Sequence, residues 1–282
     1  MSINTVKTAV LLAILSAVLV IGGGAISGRN GMYIGLTLAV VMNFSSYFFS
    51  DKIALMSYNA QPVSETQNPE IYRRVAPIVR NLCQRMGLPM PKLWVIPEDS
   101  PNAFATGRNP EHASVAFTSG ILSIMEDREI EGVVAHELGH VLHRDILISS
   151  VAATLAAAIT LLARFAFWFG GDRRDNDRGG GVFGAIAMMI LAPIAAALIQ
   201  MAISRSREYE ADAASAKYTG TPYELISGLQ KLESYSKRIP MEASPSTAHL
   251  FIIKPRLGLG LGNLFSTHPS TEDRIRRLQA MR

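Results

Sequence analysis

Four uninterrupted apolar stretches constrain this chain more than any other feature: residues 9–26, 32–49, 146–163 and 182–203, none containing a charged side chain. Each is long enough, at about 18 residues or more, to cross a bilayer as a helix. Overall composition agrees. Apolar residues make up 49% of the chain, charged residues only 18%, and the mean hydropathy is +0.21, more apolar than a solvated globular surface allows. Lys7 and the glycine-rich end of the first stretch would also suit a cleaved signal peptide. The second stretch, however, begins after only the short turn 27–31, which favours a membrane hairpin. The third runs into Arg164, Phe165, Phe167, Trp168 and Phe169, a charged and aromatic cluster of the kind that settles among lipid head groups.

Four spans would put the N-terminus, residues 51–145 and the tail after residue 203 on one side. The flanking cations do not say which side is cytoplasmic, because Lys7, Lys52, Arg144, Arg205 and Arg207 are balanced by Arg29, Arg173, Arg174 and Arg178 opposite. The net charge of +4 arises from 27 basic residues scattered among 23 acidic ones, with no basic run interleaved with aromatics, and this argues against a nucleic-acid partner. The single cysteine, Cys83, excludes an intrachain disulfide and reads as a buried apolar residue of an amphipathic helix.

The segments outside the spans alternate in character. Asn68, Pro69 and Glu70 predict a helix start and Gly87 its end. Residues 92–97 and 113–118 read as short strands. Thr221 to Glu224 has the form of a capping box opening a helix to about residue 237, and Ser270 to Asp273 opens a terminal helix. The expected fold is α+β and mainly helical, with a small sheet beside about four transmembrane helices. Its organisation divides into a first hairpin (1–50), a first soluble part (51–145), a second hairpin (146–203) and a second soluble part (204–282).

The chemistry centres on His136, Glu137, Leu138, Gly139 and His140 in a helix beginning near Arg128. Residues four apart share a helix face, so both imidazoles can reach one zinc ion while Glu137 is placed to take a proton from water. A catalytic zinc site needs a third protein ligand. His143 lies roughly 10.5 Å along the axis from His136, too far for the same ion. Glu208 and Asp212, four apart directly after the fourth stretch, are better placed: one carboxylate can bind the metal while the other accepts a hydrogen bond from a ligand histidine. His140 lies about six residues before the third stretch and Glu208 about five after the fourth, so helical rise keeps the ion within about 10 Å of the membrane boundary. His112 and His249 have no partner at ligand spacing, and the alternating Gly258, Gly260 and Gly262 lack the dinucleotide-binding spacing.

Taken together, the N-terminal hairpin, the segment from Pro101 to Gly107, the His136 to His140 motif followed by Arg144 and Asp145, the second apolar pair, Glu208 to Asp212, and Thr267-His268-Pro269 give a chain that resembles the HtpX family of membrane zinc proteases, relatives of the CAAX prenyl proteases. The resemblance covers nearly the whole length. It implies a zincin-like metalloprotease domain of the gluzincin type, with one zinc ion held by His136, His140 and Glu208, Asp212 supporting a ligand histidine, and Glu137 as general base. It further implies that Asn102, Ala103, Phe104 and Ala105 belong to an edge strand that takes an extended peptide by main-chain hydrogen bonds, and that His268 stands near the active site and can steady an oxyanion. The implied substrates are unfolded or damaged membrane proteins cut at the cytoplasmic face of a bacterial inner membrane. Two other readings stay open on the sequence: processing of prenylated termini, and a membrane metal-binding scaffold without turnover, against which the intact Glu137 argues.

Overall fold

The computed structural model describes residues 3–151, 205–236, 252 and 269–281. The expected roles or placements of His268, His249, the 164–169 cluster, the glycine-rich loop at 258–262 and most of the third and fourth apolar stretches lie outside the described residues.

Helix α1 (Ile3–Ser57) is two helices joined at a break, with Ser27 at φ −139° and Gly28 in the positive-φ region at 56°. Its halves hold the two described segments long and apolar enough to cross a membrane, Val6–Gly24 and Ser27–Phe49. They run antiparallel and close together: a Cβ on Gly23 would run into the carbonyl oxygen of Gly31 on the facing helix. Apolar side chains gain nothing by leaving lipid for one another, so membrane helices associate through such close backbone approach and a few polar hooks. Asn43 supplies one hook, its Nδ2 donating to Ser16 Oγ at 2.9 Å. Residues 146–151 are helical and start the third apolar stretch against this hairpin, where Ile148 and Val151 pack on Leu11 and Leu15.

After the hairpin come β1 (Gln61–Val63), α2 (Pro69–Met86), β2 (Lys92–Ile96), β3 (Ala103–Gly107), β4 (Ala113–Thr118) and the short α3 (Ser119–Ile124). The expected boundaries of α2 hold, with Asn68 and Gly87 as its caps. The sheet has the order β1-β2-β4-β3; β2 and β4 are parallel and the outer pairs antiparallel. Strand side chains alternate between faces. Leu93, Val95, Ala103, Ala105, Val115 and Phe117 therefore enter the main core, while Ile96, Phe104 and Ala116 meet Ala54 and Leu55 from the end of α1. Burial on both faces is why β4 carries no exposed position. Cys83 is buried in this core as expected, and desolvation pushes its thiol up to about 11, out of the range of a reactive thiolate.

Helix α4 (Asp127–Leu142) runs through the middle, between the sheet and the helices α5 (Arg205–Thr219) and α6 (Tyr223–Ser236). Glu129 closes the capping box at its start and also accepts hydrogen bonds of 2.6 Å from both Ser227 and Lys231 on α6. The last described helix, α7 (Thr271–Gln279), is capped by Ser270, as its sequence predicts.

Candidate metalloprotease site

Helix α4 is buried almost all round from Gly132 to Gly139, and α5 crosses it at very short range. The spacing is set by Gly139, the last residue between the motif's two histidines' turn: a Cβ there would stand only 3.1 Å from Ala211 Cα and from Ala214 Cβ. This approach brings Glu208 to the two histidines. Glu208 Oε2 lies 3.8 Å from His136 Nε2, and Oε1 lies 3.6 Å from His140 Nε2. One ligand atom from each of the three residues falls within 4.8 Å of the others. Tetrahedral zinc with bonds near 2.0–2.1 Å wants ligand atoms roughly 3.3 Å apart, so the three side chains would draw together by up to about 1.5 Å around an ion.

The other nitrogen of each ring is already engaged. His136 Nδ1 stands 2.9 Å from Asp212 Oδ1, and His140 Nδ1 stands 3.1 Å from Asp145 Oδ2. Each carboxylate is placed to accept from Nδ1–H, so that once a ring is neutral its Nε2 keeps the lone pair that a metal requires. Asp145, Glu208 and the exposed Glu210 face the Arg207 guanidinium, and Asp212, Glu208 and Glu137 face that of Arg274, so carboxylates outnumber guanidinium groups around the cluster. Burial would lower the His140 pKa, but Asp145, Glu208 and Glu137 outweigh it and hold the imidazolium up to about 10. The donor set thus fits a zinc ion.

Glu137 is 5% exposed, and its carboxylate lies within the field of both histidines and Glu208 while reaching the sheet at Ala105. Desolvation raises its pKa despite the opposing fields of His136 and His140 and a hydrogen bond from the backbone of Ala105. That bond, 2.8 Å from Ala105 N to Oε2, comes from the outer edge of β3, the side not paired with β4. Asn102, Ala103, Phe104 and Ala105 are all buried, Ala103 and Ala105 in the main core that α4 shares and Phe104 in the cluster against the end of α1. Asn102 exchanges three hydrogen bonds with Thr118, and its Oδ1 accepts from Ile252 N at 3.1 Å. His143 caps the end of α4 and stands apart from the cluster; His112 is exposed and hydrogen-bonded to Asn109.

Two site residues escape sequence reasoning. Asp145 is five residues after His140, not a helical spacing, and it returns to the ring because α4 ends and Arg144 takes a positive φ of 58°. Arg274 belongs to a terminal helix whose many cations suggest a solvated face. It is 1% exposed, and its Nη2 and Nε reach the two oxygens of Asp212 at 2.6 and 3.0 Å. Nη1 donates to Ile252 O at 3.2 Å. The missed signal is register: Arg274 lies four residues before Leu278, on the one buried stripe of α7.

Comparison with known proteins agrees with this geometry. The profile of Peptidase family M48 matches residues 68–282. A protease HtpX homolog of Paraburkholderia phytofirmans (strain DSM 17436 / LMG 22146 / PsJN) is 54% identical over 281 residues, covering 99% of this chain and 97% of the relative. One of Syntrophobacter fumaroxidans (strain DSM 10017 / MPOB) is 56% identical, covering 98% of both. Among solved structures, S. mikatae Ste24p superposes with a TM-score of 0.52 at 17% identity; the match takes in 98% of this chain and 64% of that one, a likeness of fold. With a family profile over most of its length and full-length relatives above half identity, the chain belongs to peptidase family M48, as a membrane metalloprotease of the HtpX type.

Proposed function

We propose that the chain is a zinc endopeptidase of the gluzincin type that cuts damaged or misfolded membrane proteins at the cytoplasmic face of a bacterial inner membrane. The observation that carries this reading is the convergence of His136 Nε2, His140 Nε2 and Glu208 on one point, with Glu137 next along the same helix and in contact with an edge strand. His136, His140 and Glu208 would hold the ion, which supplies Lewis-acid polarisation when bound. Asp212 and Asp145 orient the two rings. Glu137 takes a proton from the attacking water and returns one to the leaving amine, and burial, by raising its pKa above the ordinary carboxylate value, makes it a stronger proton acceptor.

Peptide binding and base activation are linked in this reading. A chain laid along β3 would offer its own carbonyl to Ala105 N–H, releasing Glu137 Oε2 from the bond it accepts there. His268 is the candidate donor to the oxyanion. Four spans, with the catalytic unit divided by a second hairpin, would hold the ion near the bilayer surface. The apolar start of the third stretch against the first hairpin supports this arrangement.

The test is to purify wild type and Glu137→Gln in detergent, measure zinc, and follow cleavage of an unfolded membrane protein beside an unfolded soluble one. Both proteins should bind one zinc and only wild type should cut, with the membrane substrate preferred. Equal zinc loading with no cleavage by either would remove the protease reading; dependence on a prenyl group would redirect the substrate assignment.

A further inference from the structure

Where the second apolar helix ends, α1 and the sheet enclose a cleft of about 400 Å³. We propose that this cleft binds the head group of an aminophospholipid, a lipid carrying both a phosphodiester and an ammonium.

Position gives the first argument. Phe44, Phe48 and Lys52 recur every fourth residue and form one stripe of α1, and all three line the cleft. The candidate span ends at Phe49, so the stripe passes from acyl-chain depth to head-group depth within the cleft itself. Phe44, Phe48 and Phe49 pack on one another while remaining 55%, 40% and 42% exposed. The opposite wall is polar: Lys92 at the start of β2, Arg108 and Glu111 from the turn that joins β3 to β4, and Ser114 of β4.

Charge gives the second. Lys52, Lys92 and Arg108 form no ion pair among the described residues. Lys52 Nζ and the Arg108 guanidinium instead lean on the rings of Phe49 and Phe48, at 5.4 and 5.3 Å from their centres. Cations parked on aromatic faces remain available to a phosphate, for which Arg and Lys are the usual donors. Asp51 and Glu111, in the same lining, would repel a purely anionic head group and attract an ammonium. The lining thus carries both signs of charge in one cleft, cations for a phosphodiester and carboxylates for an ammonium, and a head group with both groups can use both. The apolar ring cluster opening toward the membrane favours a lipid over free phosphate, which has no use for it.

Arg108 directly follows Gly107, the last residue of β3, so a bound head group would fasten the end of the strand whose Ala105 touches Glu137. Binding itself does not depend on the protease reading. The experiment uses the full chain, delipidated in detergent and examined by native mass spectrometry with dioleoyl phosphatidylethanolamine, dioleoyl phosphatidylglycerol or inorganic phosphate. Wild type should retain the ethanolamine lipid, and each cation removed in Lys52→Ala and Arg108→Ala should weaken retention about fivefold. Asp51→Asn with Glu111→Gln should shift preference toward the glycerol lipid. Undiminished retention by the Lys52/Arg108 double variant, verified as folded by circular dichroism, would overturn the site. Equal or stronger retention of phosphatidylglycerol by wild type would overturn the head-group assignment, and displacement of the lipid by millimolar phosphate would overturn the lipid as ligand.

Discussion

Arg274 grips Asp212 through two hydrogen bonds, of 2.6 and 3.0 Å, from a helix 62 residues further along the chain. The same carboxylate holds His136 Nδ1, so the guanidinium acts on a ligand ring without being a ligand. Arg274 keeps the Asp212 pKa low against the burial that would raise it, and so keeps the carboxylate ionised and able to accept the imidazole proton. Arg274→Gln is expected to weaken zinc binding about 10- to 100-fold, as removal of an outer partner of a ligating histidine does. Chelator competition at fixed pH measures this, and Arg274→Lys should recover part of the loss.

Removing the other orienting carboxylate should have a distinct pH signature. In the metal-free protein the His140 imidazolium persists up to about 10, so a proton competes with zinc at all lower pH values. Apparent zinc affinity of wild type should therefore rise with pH toward 10. In Asp145→Asn the rise should level off at lower pH, with weaker binding on the plateau. Because the folded His140 pKa is raised, its charge also stabilises the metal-free fold fully below the ordinary histidine pKa near 6.5, and that contribution disappears as pH climbs toward 10. Chemical denaturation of metal-free protein between pH 6 and 10 checks it.

Gly139→Ala separates stability from site geometry. Alanine gains up to about 1 kcal/mol in helix propensity, while overpacking against Ala211 and Ala214 costs about 1–3 kcal/mol. The net is a cost of about 0–2 kcal/mol. The relief of the clash, however, requires α5 to move away, and Glu208 moves with it. Expected is a folded protein with a modestly lowered melting temperature and at least tenfold weaker zinc binding, read by calorimetry and metal analysis on the same sample.

Glu129 predicts behaviour in acid. Burial raises its pKa, but Lys231, Ser227 and the Glu126 amide outweigh that and hold it below the ordinary value. A carboxylate with a depressed folded pKa stabilises above its unfolded pKa, and the stabilisation is lost as pH falls through the folded one. Glu129→Gln should cost about 2 kcal/mol at neutral pH, discounted for the partly exposed Lys231, and the gap to wild type should close only in the acid range below the ordinary glutamate pKa. Urea midpoints across pH 3 to 7 measure both.

What could be seen from sequence follows a physical rule: local periodicity and caps are visible, long-range returns are not. The α2 boundaries, β2, β4 and the Ser270 cap rest on neighbouring residues, and each agrees with its expected place. Strand β1 was missed because three residues ending in one buried valine carry no period. Glu208 and Asp212 could be placed on one helix face by spacing, and the structure brings both to His136. Asp145 and Arg274 required, respectively, a left-handed turn at Arg144 and the folding of α7 onto α5, neither of which has a periodic signature.

The late position of Arg274 also orders events during synthesis. His136, His140, Glu208 and Asp212 all leave the ribosome before it, and until Arg274 emerges Asp212 has no guanidinium to hold its charge in a buried site. A destructive enzyme is thereby completed last at its cutting centre, after its own membrane hairpin and sheet have had time to form.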